Sequence, residues 1–151
     1  MELIGPGAVA PPVSGVAFQD GPTALVFYKV TCPVCQMAAP KFEDLERAHP
    51  GRVVGVGQDP QPALREFGHD YGMASVRAVT DASPYAVSDA YGIASVPTVV
   101  LVDGDGVVAE SVPLWDRNAF NRLSERLAGL VGSARIVASD PSDGLPETRP
   151  G

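Results

Sequence analysis

Val30-Thr31-Cys32-Pro33-Val34-Cys35-Gln36, "VTCPVCQ", holds both cysteines of a 151-residue chain, three positions apart. The stretch before them, "ALVFYKV" from Ala24 to Val30, is a continuous β-favouring apolar run and reads as a strand covered on both faces. The stretch after them reads as a helix. Met37, Phe42, Leu45 and Ala48 recur at helical intervals, with the charges of Lys41, Glu43, Asp44 and Glu46 between them. Pro33 suits the first helical position, where its missing N–H costs no bond. Pro40 removes one ladder bond and predicts a kink, and "HPG" at 49–51 stops the helix. The two thiols therefore belong to a strand-to-helix junction.

Working outward, "RVVGVGQ" at 52–58 reads as a second buried strand and "DPQPALREFGHDYG" as a short helix that ends at Gly72. "SVRAVTD" at 75–81 reads as a third strand. "SPYAVSDAYG" at 83–92 reads as a further helix, with Ser83 as its cap and Pro84 in its first position. "PTVVLVDGDGVVAESV" from Pro97 is two β runs around Gly104-Asp105-Gly106, a hairpin signal. From Asp116 the chain is an amphipathic helix with Phe120, Leu123, Leu127 and Leu130 on one side. Residues 1–15, rich in Pro, Gly and Ala, read as an arm laid over the domain at 16–131. The polar, Pro-rich stretch at 132–151 reads as a flexible C-terminal tail. Strands alternating with helices, then a hairpin and a closing helix, predict an α/β domain: a central mixed β-sheet with helices on both faces.

A chain of 15.7 kDa buries enough apolar surface to fold without a metal or disulfide staple, so the cysteines are not needed for stability. A net charge of −7 with scattered Lys and Arg opposes binding to nucleic acid or anionic membranes. The N-terminus has Glu2 where a leader would be basic, and Pro6, Pro11 and Pro12 interrupt any apolar run. It reads as neither signal peptide nor membrane span, and the protein as cytoplasmic. In that compartment a close cysteine pair points to catalysis or metal binding.

Zinc sites also use Cys-x-x-Cys, but they need two further ligands or one and a water. His49 and His69 are the candidates, both in helix-end contexts read as surface. Inert buried thiols are the other bland reading. The redox reading rests on position: at a helix N-terminus, free N–H groups and the positive dipole end favour a thiolate at Cys32. Cys35, one turn on, is better covered and placed to resolve a mixed disulfide. Lys29 is the nearest cation in sequence, and Thr31 and Thr98 offer hydroxyls. Phe27, Tyr28, Phe42 and Trp115 read as packing residues.

With "CPVC", the following helix carrying Met37 and Pro40, and "AYGIASVPTVVLVDGDGVV" downstream, the chain resembles the thioredoxin superfamily over residues 16–131. An extra helix and strand at about 58–90, with "GAVAPPVSGVAFQDG" near the start, resembles the TlpA-like, peroxiredoxin-related redoxin branch of thiol-disulfide oxidoreductases. The resemblance implies a thioredoxin fold with a cis Val96-Pro97 bond beside Cys32. It implies Cys32 as nucleophile and Cys35 as resolving thiol, with Pro33, Val96, Pro97, Thr31 and Lys29 in support. It implies no cofactor and no metal. The partners it implies are protein disulfides or dithiols and a thiol-based reductant. Three positions depart from the pattern: Val26 where reducing members carry a buried acid, Thr31 where thioredoxins carry Trp, and Pro-Val between the cysteines. Lys29, Asp59 or water would then have to accept the proton from Cys35, and the redox direction stays open.

A thiol peroxidase and a non-catalytic redox-sensing module are the alternatives. Peroxidase sites resemble Pro-x-x-x-Thr-x-x-Cys. Aligned on Cys35, those positions hold Tyr28 and Cys32.

Overall fold

The computed structural model describes residues 2–151 and has an α/β thioredoxin-like architecture. In chain order it contains β1 (Thr23–Tyr28), α1 (Pro33–Ala48), β2 (Val53–Gly57), α2 (Gln61–Tyr71), β3 (Arg77–Thr80), α3 (Ala86–Ala90), β4 (Thr98–Val102), β5 (Val108–Pro113), β6 (Trp115–Asp116), α4 (Arg117–Val131) and β7 (Thr148–Arg149). The main sheet runs β3-β2-β1-β4-β5, and helices flank it. β1 lies at its centre, parallel to β2 and antiparallel to β4, and every one of its residues is buried. That placement explains why its sequence is an unbroken apolar run rather than an alternating one. Each large side chain buried there contributes about 1.5–3 kcal/mol.

β2 is buried throughout, and β3, at the edge, is half-exposed. The hairpin forms where Gly104-Asp105-Gly106 predicts it, and the Asp103 carboxylate accepts the Asp105 and Val107 amides at 2.9 and 3.0 Å. The N-terminal segment runs along β5: Gly7 donates to Val108, Val108 to Ala8 and Ala10 to Gly106, at 2.8–2.9 Å. These bonds occupy backbone groups that an edge strand would otherwise leave open.

Helix α1 is continuous through Pro40. Glu43 and Glu46, two of the charges between the apolar positions of α1, are buried. Glu46 accepts the Gly51 and Val53 amides at 2.7 and 3.1 Å, and Glu43 accepts the Ser75 amide and the Arg47 guanidinium at 2.9 and 2.8 Å. Burial pushes the Glu43 carboxyl up, but the bonds from Ser75 and Arg47 outweigh it and hold the group below its ordinary value.

One further expectation is corrected. The helix placed at 83–92 begins only at Ala86, and Ser83 does not cap it. The Ser83-Pro84 bond is cis, and buried Asp81 supplies the acceptor, taking the Val87 and Ser88 amides at 3.1 and 2.8 Å. The stretch at 132–151 returns to the domain. Its polar groups find partners on α1 and α4: Ser139 N–H bonds to Asn121 Oδ1 at 2.7 Å, Val137 N–H to Ser124 Oγ at 3.1 Å, and Asp143 faces Lys41 Nζ at 3.2 Å. Burial works against the Asp143 charge, yet bonds from Ser139, Leu145 and Lys41 hold its pKa at about 2. Thr148–Arg149 then pairs antiparallel with Trp115–Asp116 as a second, two-stranded sheet. Trp115 packs on Phe120 with ring centroids 5.4 Å apart, and Leu130 lies at the exposed rim of α4.

Candidate active site

β1 ends at Tyr28 and α1 begins at Pro33, so the turn at 29–32 delivers Cys32 as the N-cap of α1. Its backbone is extended (φ −81°, ψ 113°), which turns the sulfur back over the first helical turn, where it accepts the Cys35 amide at 3.2 Å. A sulfur here takes the place of the hydroxyl or carboxylate oxygen that usually satisfies a free N-terminal amide. The turn is held from both sides. Cys32 N–H donates to the Lys29 carbonyl at 3.2 Å, Gln36 Nε2 to the Val30 carbonyl at 2.9 Å, and Val30 N–H to the Asp59 carboxylate at 2.9 Å. Both thiols are free, Cys32 being 6% exposed and Cys35 1%.

The Val96-Pro97 bond is cis, and the Val96 carbonyl accepts the Cys32 thiol at 3.6 Å. The loop that bears it is fixed by Thr98 Oγ1, which donates to the Ser95 carbonyl at 2.8 Å; that hydroxyl is committed to the loop. Between this loop and the start of α1 lies an open cleft of about 400 Å³, lined by Lys29, Thr31, Cys32, Pro33, Val96 and, from the other end of the sequence, Gly151. Cys35 lies beneath the cleft. The structure thus brings Lys29, Thr31, Cys32, Pro33 and Val96 to one cleft, gives Asp59 a place at the turn beside it, and adds Gln36 and Gly151. Gln36 and Asp59 act on the backbone of the turn, a role that no residue-type pattern announces.

Burial pushes the Cys35 thiol far up, and its hydrogen bond with Cys32 adds to the shift. Tyr28 is raised as well, by burial first and then by the negative charges of Asp59 and Cys35. Val26, where a buried acid was looked for, is wholly enclosed in the central strand. The carboxylate that does reach the turn, Asp59, comes from the loop after β2. His49 is buried rather than at the surface, and His69 is exposed. Among the described residues no group of three or more His, Cys, Asp or Glu is arranged to hold a metal. Two free thiols on the first turn of α1, one at a cleft and one enclosed, with the Cys35 amide donating to Cys32 Sγ, can cycle between dithiol and disulfide.

The family model described as AhpC/TSA matches residues 9–111. Among curated proteins, the methylamine utilization protein MauD of Paracoccus versutus is 31% identical over 120 residues, covering 72% of this chain and 59% of that protein. The chain thus spans about three-fifths of the length of that relative. Among solved structures, dsbF of MTB, captured in mixed oxidized and reduced forms, is 30% identical with a TM-score of 0.59, covering 72% of this chain and 80% of that one. The thioredoxin domain of a thiol-disulfide oxidoreductase from Bacteroides vulgatus has a TM-score of 0.67 at 18% identity, a likeness of fold, and covers 82% of this chain and 99% of that domain.

Proposed function

The chain belongs to the AhpC/TSA family, and we propose that within it this protein is a thiol-disulfide oxidoreductase with Cys32 as nucleophile and Cys35 as resolving thiol. One observation carries the assignment of roles. Cys32 Sγ lines the cleft and accepts the Cys35 amide, while Cys35 is almost fully enclosed below it. The Cys32 thiolate attacks one sulfur of a substrate disulfide, forming a mixed disulfide and releasing the other sulfur as a thiolate. Cys35 then loses its proton and attacks Cys32 Sγ, which closes the Cys32–Cys35 disulfide and frees the reduced substrate. Two electrons pass to the substrate, and a thiol-based reductant restores the dithiol. Its partners are protein disulfides or dithiols. The likeness to dsbF, solved in both oxidized and reduced forms, supports a pair that cycles.

The peroxidase alternative has less behind it. Aligned on Cys35 it lacks both the Pro and the Thr of that pattern, and Cys35 is enclosed with its thiol pushed up, which disfavours the thiolate such chemistry needs. The test is turnover of insulin disulfides with dithiothreitol. The wild type accelerates the reaction, Cys32→Ser falls to the uncatalysed rate, and a wild type at the uncatalysed rate refutes the proposal.

A further inference from the structure

Gly151 reaches the Cys32 cleft by an anchored route. Asp143 accepts Ser139 Oγ at 2.6 Å and the Leu145 amide at 2.9 Å, which fixes the turn at 141–143. The next residues are bound to the start of α4: Trp115 Nε1 donates to the Pro146 carbonyl at 2.7 Å, the Arg117 amide donates to the Glu147 carbonyl at 2.8 Å, and β7 pairs with β6. From that anchor the chain is aimed at the cis-proline loop. Gly151 lies so close to the Val96 carbonyl oxygen that a Cβ on it would collide with that atom and come within 2.9 Å of Leu114 Cδ2. The same carbonyl accepts the Cys32 thiol.

This placement bears on access. A substrate sulfur that bonds to Cys32 must come within about 2.05 Å of Cys32 Sγ, and so must pass beside Val96, whose carbonyl is 3.6 Å from that sulfur. We infer that residues 147–151 form a strap, anchored at 147–149 and laid by Gly151 across the mouth of the cleft, that sets which disulfides reach Cys32. Small disulfides enter beside it, and folded protein partners must lift it. Substrate selection in this form rests on the proposed function; the strap as a steric cover does not. Residues 147–149 are tied to β6 and α4, whereas Pro150 and Gly151 are exposed, so the strap is firmly rooted and lightly seated.

The experiment uses the reduced full chain, Gly151→Val, and a chain lacking residues 148–151. Gly151→Val puts its Cβ against a backbone oxygen that cannot move aside, and lifts the strap while leaving the anchor in place. Cys32 alkylation, located by mass spectrometry, is timed with iodoacetamide and with a polyethylene-glycol maleimide, and insulin reduction is measured in parallel. A strap seated nine-tenths of the time lowers the apparent rate about tenfold. Both variants are therefore expected to react about threefold to tenfold faster with the bulky maleimide, and to change by less than about twofold with iodoacetamide. An unchanged bulky-reagent rate in both variants, or an equal rise for both reagents, overturns the strap. Faster insulin reduction with the same size dependence assigns it to substrate selection. A size-dependent alkylation change without any insulin turnover keeps the steric strap and removes the proposed function.

Discussion

The Asp59 carboxylate accepts the Val30 amide at 2.9 Å across 29 positions of sequence, and so joins the loop after β2 to the turn that delivers Cys32. The Asp59 carbonyl in turn accepts the Thr80 hydroxyl at 2.9 Å, so the turn is referred back to the end of β3. Asp59→Ala leaves the Val30 amide without its partner in a partly buried position. The expected loss is about 1 kcal/mol in denaturant unfolding, with Asp59→Asn, which keeps an acceptor oxygen, costing less. Equal stability of the Ala variant and the wild type would show that this bond does not hold the turn.

His49 supplies a pH dependence. Its ring is buried at the end of α1 with Nε2 unpartnered, and burial first, then the nearby Arg135 charge, lower its pKa despite a backbone bond at Arg135. A histidine whose folded pKa is depressed favours folding while neutral. Its contribution is complete above the unfolded value of about 6.5 and is lost as pH falls from there toward the folded value. Chemical-denaturation midpoints between about pH 7.5 and pH 5 should therefore fall more steeply for the wild type than for His49→Gln. Identical slopes would mean that His49 titrates as an exposed residue does.

The junction of strand, thiols and helix was legible because everything that makes it lies within one local run: the apolar residues of β1, Pro33 at the helix start, and the spacing of Cys32 and Cys35. The position of the Val96-Pro97 loop came from family likeness, since no local pattern ties it to Cys32. What the sequence does not announce are polar partnerships outside the local run that carries the cysteines. Asp81 caps α3 from before the cis Ser83-Pro84 bond, where the sequence offers the better-known cap signal of Ser83. Residues 132–151 carry no apolar stripe, and what places them is a set of polar bonds to Lys41, Trp115, Arg117, Asn121 and Ser124 that composition does not announce. His49 reads as a surface residue for a similar reason, since its neighbour Arg135 belongs to that returning segment.

The division of labour between the thiols is the centre of the account, and trapping of the mixed disulfide tests it most directly. Reduced Cys35→Ser and reduced Cys32→Ser are each incubated with a protein disulfide and analysed by non-reducing mass spectrometry. With Cys32 at the cleft and Cys35 enclosed beneath it, Cys35→Ser is expected to accumulate a stable adduct at Cys32, whereas Cys32→Ser forms none. An adduct in Cys32→Ser and none in Cys35→Ser would contradict the account and make Cys35 the attacking sulfur.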